Sequence, residues 1–486
     1  MMNRRQFLRS AGLGAASMLA GCQLRAGQAT DAPKPGPTAG RRPNLIVLMA
    51  DDCSAKEYSC YGNTETRTPV LDGLADTGVR FRTCWCAPIC SPTRAMVMTG
   101  RYAFRTHWWH NNMKPTGKEP HGDLSQHNKI FAQVLKESGY ATAVCGKWQL
   151  HGTEEAYGFD ERCMWEKWDG FDGPVEQEGQ SLPGRAARYW HPSIVRNGQG
   201  VPTKATDYGP DLFVEFLLDF ARRHKDRPFL VYYPMCLTHG SWDFEAGRQG
   251  YLPVPELDSA GKPTGRKVPG SLKSNVEYAD ALVGRIVKGL EDLGLRGDTI
   301  LFYTCDNGTA VYGKSRVSGE RGPLVPMIVN GPGRVKPAGA RDELVSLVDL
   351  LPTLADLGGA ALPADYALDG QSFAWLLRGE PGKERDYIFS YCADARMIRT
   401  KRWLLDGEGR LWDCGNDRSG EGYTDVTDST DAEPVAARKQ LERYLDDLPG
   451  PAPDDPLLER YRQTEPKKPA ARRQPKGQDA KREKQP

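Results

Sequence analysis

Two spacings of apolar residues alternate along the chain. Leu45-Ile46-Val47-Leu48-Met49 is apolar without interruption, the mark of a strand buried on both faces. Thr68-Pro69 then opens a predicted helix, with a polar residue at the cap and proline in the first turn, and Leu71, Leu74 and Val79 follow at helical spacing. The alternation continues: a helix near Ile130 to Lys136 precedes a strand from Ala141 to Val144, and a helix from Leu212 to Phe220 precedes a strand from Phe229 to Tyr233. A longer amphipathic helix, Val276 to Leu293, leads into the strand Thr299 to Tyr303, and Val325 to Val329 supplies another buried strand. Strand and helix in turn is the α/β pattern.

After residue 380 the texture changes. Met397 to Leu405, then Gly407-Glu408-Gly409 and Leu411-Trp412, reads as a hairpin, and Val435 to Leu445 as a closing helix. The predicted organisation is a catalytic domain over 43–380 and a small α+β subdomain, with an antiparallel sheet and a helix, over 381–450. A Pro- and Gly-rich linker, 23–42, precedes them. From 451 to 486 the chain is Pro- and Lys/Arg-rich, with eight basic and two acidic residues over 466–486, so this tail is expected to be disordered and basic.

The first 22 residues read differently. Asn3-Arg4-Arg5-Gln6-Phe7-Leu8, a short apolar stretch from Ala11 to Gly21, and then Cys22 have the order of a bacterial twin-arginine export signal. The stretch is too short to span a bilayer, which takes about 20 apolar residues. Leu19-Ala20-Gly21-Cys22 resembles a lipobox, so the expected location is periplasmic, membrane-anchored through a lipid on Cys22, or extracellular. The twin-arginine machinery is then a partner, and lipid is the only membrane contact.

Bulk composition narrows the classes. The chain has 486 residues, 39% hydrophobic and 26% charged, with a net charge of +2, a globular profile that gives no general argument for nucleic acid as a partner. Its 12 cysteines show no disulfide-framework spacing. Cys84, Cys86 and Cys90 lack a fourth ligand at zinc spacing.

Candidate chemistry gathers at strand ends. Asp51-Asp52 directly follows the first buried strand, and Asp306-Asn307-Gly308 directly follows the strand Thr299 to Tyr303. The carboxyl edge of such a sheet hosts the active site, and three carboxylates with an amide oxygen are hard ligands suited to calcium or, with less room, magnesium. Cys90 stands before Ser91-Pro92, a helix opening, where a helix N-terminus favours anions. Arg94, one turn on, points back to the same end.

Ala87-Pro88-Ile89-Cys90-Ser91-Pro92-Thr93-Arg94-Ala95, continuing to Thr99-Gly100-Arg101-Tyr102, resembles the first motif of the sulfatases of the alkaline-phosphatase superfamily. Gly139-Tyr140-Ala141-Thr142 running into Gly146-Lys147-Trp148 is similar to their second motif, and Asp306-Asn307-Gly308 with Lys314 and Pro326 to a third. The resemblance covers about residues 43 to 450. It implies a large mixed, mostly parallel sheet sandwiched by helices, and a sulfuric ester hydrolase in which Cys90 is oxidised to formylglycine by a formylglycine-generating enzyme. It also implies calcium at Asp51, Asp52, Cys90, Asp306 and Asn307, with magnesium as the other candidate, and places Arg94, Lys147, His239 and Lys314 in the catalytic set. The aldehyde hydrate carries two hydroxyls on one carbon: one attacks sulfur, and the other later expels sulfate.

One position departs from the family pattern. Where a histidine commonly follows Gly-Lys-Trp, this chain reads Gly146-Lys147-Trp148-Gln149-Leu150-His151. Glutamine cannot shuttle a proton, so Gln149 is expected to keep a hydrogen bond to the substrate side while His151 or a carboxylate moves the proton. Trp165, Trp168, Phe171, Tyr189 and Trp190 are read either as stacking faces for a sugar or as core. A sulfated carbohydrate is the expected substrate. The competing readings are a formylglycine-dependent phosphodiesterase or phosphonate hydrolase, and a catalytically impaired polymer-binding relative.

Overall fold

The computed structural model describes residues 40–116, 121–175, 186–417 and 419–464. The export signal with Cys22 and the basic stretch 465–486 lie outside the described residues.

The apolar run after Pro43 forms strand β1 (Asn44–Ala50), with all seven residues buried. Removing a single Leu or Ile side chain of this kind from water contributes about 1.5–3 kcal/mol, which places β1 at the centre of the sheet. The other strands are β2 (Val79–Trp85), β3 (Ala141–Gly146), β4 (Glu161–Trp165), β5 (Ile194–Arg196), β6 (Gln199–Val201), β7 (Phe229–Pro234), β8 (Thr299–Cys305), β9 (Leu324–Asn330), β10 (Gly339–Arg341) and β11 (Val345–Ser346). They make one sheet in the order β10-β2-β9-β8-β1-β7-β3-β4-β5-β6, with β11 also on β2. The five strands β8-β1-β7-β3-β4 are parallel. β9 runs antiparallel between β8 and β2, and β5 and β6 close the other edge antiparallel. The sheet is therefore mixed and mostly parallel.

Helices cover both faces. α1 (Pro69–Asp76), α4 (Gly209–Arg223) and α5 (Leu272–Asp292) pack on one another, and α2 (Cys90–Thr99), α3 (Phe131–Glu137) and α6 (Leu350–Gly358) form the second group. Two helix starts differ from the apolar pattern. The α5 helix begins four residues before Val276, because Ser271 caps it with Oγ accepting the Ser274 N–H at 3.0 Å. At α1 the Thr68 hydroxyl does not cap the helix; the Val70 and Leu71 N–H groups donate instead to the carboxylate of Asp280 on α5, at 3.1 and 2.8 Å.

Beyond residue 380, β12 (Ile388–Cys392), β13 (Ala395–Arg399), β14 (Trp403–Leu405), β15 (Leu411–Asp413) and β16 (Thr424–Asp425) form an antiparallel sheet, followed by α7 (Ala432–Asp446). The expected hairpin is thus the middle of a five-stranded meander. The tail does not lose structure at 451: α8 (Pro456–Thr464) follows, held by Leu458, buried in the core formed with this sheet, and by the ring of Tyr461 against His110. Among the described residues, no helix is long and apolar enough to cross a membrane.

Candidate active site

Strands β1 and β8 are parallel neighbours with Ala50 opposite Cys305, so the residues that follow each of them emerge side by side. The Asp306 N–H donates to the Ala50 carbonyl at 3.0 Å, and the Cys53 N–H to the Asn307 carbonyl at 3.0 Å. This register brings Asp51 and Asp52 against Asp306. Asp52 sits at φ +61°, a left-handed conformation that a non-glycine residue keeps only where its surroundings hold it. Its N–H is fixed by Asp306 Oδ1 at 3.1 Å.

Cys90 is the first residue of α2, whose ten residues are all buried. Its Sγ stands 3.7 Å from an oxygen of Asp51 and 3.7 Å from one of Asp52. Ligand atoms of Asp51, Asp52, Cys90 and Asp306 all lie within 4.8 Å of one another. One turn along α2, Arg94 is 1% exposed and donates to Asp306 Oδ2 at 2.7 Å and to the Lys147 carbonyl at 2.7 Å. Lys147 follows Gly146 at the end of β3 and pairs with Asp51. Gly146 has φ +116°, and a Cβ there would stand 2.1 Å from the Pro234 carbonyl oxygen, so only glycine delivers Lys147 to this place. Lys314, in the loop after Asn307, reaches Asp52 at 2.8 Å.

The charges are unevenly balanced. Burial pushes the Asp51 carboxyl up, but the Lys147 ammonium, with His239, Arg94 and Lys314, outweighs it and holds the group well below the usual carboxylate range. At Asp306 burial and then the charge of Asp51 win, and the carboxyl is pushed up. Burial and then Asp306 also push the Cys90 thiol well up. A thiol so held is protonated and a poor nucleophile, so the unmodified cysteine is unsuited to attack.

The donor set fits a hard divalent cation. Three buried carboxylates meet at one point, and Asn307, whose Nδ2 donates to Asp52 at 2.7 Å, leaves Oδ1 buried without a hydrogen-bond partner. A buried carbonyl oxygen is rarely left unpaired, and oxygen ligands of this kind suit calcium or magnesium.

His239 follows β7 and lies 3.5 Å from Asp52 by Nε2. Burial, then Lys147, drives its imidazole down to about 3. Nδ1 contacts the Gly240 carbonyl, which can only accept, so the proton is assigned to Nδ1 and Nε2 presents a lone pair. Gln149 adopts φ +63°, its carbonyl accepts from Ser91 Oγ at 3.3 Å, and its Oε1 is buried without a partner. His151 lies two residues on, its ring centroid 5.6 Å from that of Trp108.

The aromatic segment divides. Tyr189 is buried, its hydroxyl donating to the carbonyls of Cys236 and His239 at 2.8 and 2.6 Å, and Trp190 is half-buried; both line one cavity. Arg188, 2% exposed, lines the same cavity, with Nη1 3.5 Å from His239 Nδ1. Nothing in the sequence singles Arg188 out: it lies in a segment without regular period, and its place depends on a strand far along the chain.

A mostly parallel sheet between helices, with a carboxylate and cysteine cluster at its carboxyl edge and a small antiparallel sheet beyond, defines the alkaline-phosphatase superfamily fold. Residues 43–360 match the family model described as Sulfatase, and the chain belongs to the sulfatase family. It is 30% identical over 406 residues to arylsulfatase A of Bos taurus, covering 75% of this chain and 73% of that one. It is 28% identical over 463 residues to steryl-sulfatase of Mus musculus, covering 76% and 70%. Among solved structures, one in complex with its substrate D-glucosamine-2-N,6-O-disulfate superposes with TM-score 0.62 at 20% identity, covering 88% of this chain and 99% of that one. The complex of Ps i-CgsB with k-i-k-neocarrahexaose superposes with TM-score 0.64 at 24% identity, covering 83% and 93%. The chain is a sulfuric ester hydrolase, and membership of the family implies a metal and a formylglycine.

Proposed function

We propose that this sulfatase hydrolyses a sulfate monoester of a sulfated carbohydrate, with formylglycine derived from Cys90 as the reacting group and calcium held by Asp51, Asp52, Asp306 and Asn307. The observation that carries this reading is the buried convergence of three carboxylates and Cys90 Sγ, with Asn307 bonded to Asp52 and its Oδ1 left unpartnered. Bound there, calcium supplies positive charge that stabilises developing negative charge on oxygen. The hydrate of the formylglycine supplies two hydroxyls on one carbon, one for attack on sulfur and one for release of sulfate.

The chain's own residues do the rest. Lys147 pairs with Asp51 and Lys314 with Asp52, and both are suited to hold the oxygens of the sulfate group as charge builds on them. Arg94 orders the site from beneath, joining Asp306 to the backbone of Lys147. His239 is neutral in the substrate-free site; an anionic sulfate ester beside it favours the protonated imidazole, the form able to give a proton to the leaving oxygen. Gln149, with its unpartnered Oε1, accepts a hydrogen bond in this scheme, and a carboxylate or His151 moves the proton that releases sulfate.

A carbohydrate is supported by the solved relatives bound to a sulfated glucosamine and to a neocarrahexaose. Export through the twin-arginine machinery, with lipid on Cys22, is part of the same proposal and fits an enzyme that meets its polymer outside the cytoplasm. The test is a comparison of kcat/KM on an aryl sulfate and on an aryl phosphodiester, after co-expression with a formylglycine-generating enzyme. The sulfate is expected to be the better substrate; a preference for the phosphodiester would assign the site to phosphodiester hydrolysis instead.

A further inference from the structure

A cavity of about 170 Å³, room for one monosaccharide, is lined by Arg188, whose Nη1 lies 3.5 Å from His239 Nδ1. We propose that it is a subsite for a second anionic group, a carboxylate or a second sulfate, on the sugar that carries the scissile ester. The proposal rests on the carbohydrate sulfatase reading and narrows its substrate to saccharides with more than one negative charge.

Arg188 is the buried cation of this wall. It is 2% exposed, its guanidinium lies 4.1 Å from the centroid of the Trp165 ring, and its Nε is buried without a hydrogen-bond partner. Among the described residues no carboxylate pairs with it, and its closest charged or titratable contact is His239 at 3.5 Å. Arginine is almost never buried without an anion, because desolvation is then left uncompensated. Two other deeply buried guanidinium groups have an anion, Arg94 in Asp306 and Arg399 in Glu320, and a third, Arg296, donates to the Thr299 carbonyl and to Asn330. Arg188 faces a cavity instead.

The rest of the wall agrees. Lys267 stands over the Trp190 ring at 4.1 Å from its centroid, a second cation on the same cavity, and Trp242 adds an aromatic surface. Two acids also line it. Asp243 is turned to its own backbone, accepting the N–H groups of Glu245 and Ala246 at 3.0 Å, and Glu245 is exposed, so neither neutralises Arg188. A neutral sugar would use the aromatic surface and leave both cations idle. A charged hydrogen bond to a buried guanidinium is the contact that this wall lacks.

The test uses the full-length, formylglycine-bearing protein and inhibition of aryl sulfate turnover by methyl glucuronide, by N-sulfoglucosamine and by neutral methyl glucoside. Inhibition constants for at least one anionic sugar are expected to be about tenfold or more below that for the glucoside, the worth of one charge-assisted contact. The uronide and the N-sulfo sugar tell carboxylate from sulfate. Arg188→Gln is expected to erase the advantage, and Arg188→Lys to restore part of it. Lys267→Gln, at the exposed side of the cavity, is expected to weaken it without touching the sulfate-binding lysines, and carries the test if Arg188→Gln does not fold. Equal inhibition by all three sugars, or an advantage that survives both Arg188→Gln and Lys267→Gln, overturns the proposal. If the aryl sulfate is not turned over at all, the sulfatase reading fails by itself, and calorimetric titration of the same sugars decides the subsite separately.

Discussion

At Asp306 a single carboxylate joins the cluster proposed to hold the cation and pairs with the buried Arg94, and the two duties separate by substitution. Asp306→Ala removes both and abolishes turnover. Asp306→Asn keeps the shape and a hydrogen-bond acceptor for Arg94 but removes one charged oxygen ligand; turnover of an aryl sulfate is expected to fall about 10²-fold or more while the melting temperature stays near that of the wild type. Steady-state kinetics with a calcium titration, alongside thermal unfolding, checks this. Full activity in chelator-treated Asp306→Ala protein would contradict it. Gln149 poses the complementary question. Its side-chain oxygen is unpartnered, so it is placed to accept rather than to shuttle. Gln149→His is expected to change turnover by less than about tenfold; a gain of about 10²-fold, the usual worth of a placed general acid or base, would show a weakened site.

Much at this scale is legible in the chain, because Asp51, Asp52, Asp306 and Asn307 sit directly after apolar runs whose burial places them at the sheet edge. Arg188 is not legible. Its neighbours come from elsewhere in the chain, Trp165 from β4 and His239 from the loop after β7, and a lone arginine in an aperiodic segment carries no local signal.

The elements that hold the site show a charge used where a hydroxyl is expected. Thr68 has the sequence of a cap, yet the Asp280 carboxylate, 3% exposed, takes the first N–H groups of α1 from α5. Burial pushes this carboxyl up to about 7, against the two N–H groups that favour its charged form. The folded state therefore binds a proton that the unfolded chain, titrating near 3.8, has released. Stability is greatest below the unfolded value and declines as pH rises from about 4 to about 7. Urea midpoints measured across this range are expected to fall in the wild type, and Asp280→Asn is expected to flatten that decline. An unchanged slope in the variant would place the titrating group elsewhere. Helix α5 itself follows the apolar pattern, but its start is set by Ser271, a polar residue five positions ahead of Val276. Periodicity finds the face a helix buries and leaves its ends to capping side chains.

Across the whole molecule, the small sheet is fastened to the large one by a buried ion pair. Arg399 on β13 pairs with Glu320, both fully buried, and Glu320 also accepts from the Trp85 Nε1–H on β2 at 2.9 Å. Glu320 belongs to the loop that carries Lys314, so the C-terminal sheet steadies one wall of the site. Arg399→Met leaves a buried carboxylate unpaired and is expected to cost about 3–5 kcal/mol, and pairing it with Glu320→Leu to recover most of that loss. Urea unfolding of the two single variants and the double variant measures the coupling; a double variant as unstable as the worse single one contradicts it. The α/β alternation and the change near residue 380 follow from hydrophobic spacing alone. The antiparallel placement of β9 between β8 and β2 does not, since strand direction depends on contacts between distant segments. The helix α8 also escapes a composition-based reading: Leu458 and Tyr461 pack within a stretch otherwise rich in proline and charge.

Cys90 is proposed to act only after conversion to formylglycine, and the mass of one peptide tests this. After co-expression with a formylglycine-generating enzyme, mass spectrometry of the tryptic fragment spanning 83–94 is expected to show an aldehyde in place of the Cys90 thiol, at a level that tracks sulfatase activity. Full sulfatase activity in protein whose Cys90 is wholly an unmodified thiol would contradict the account.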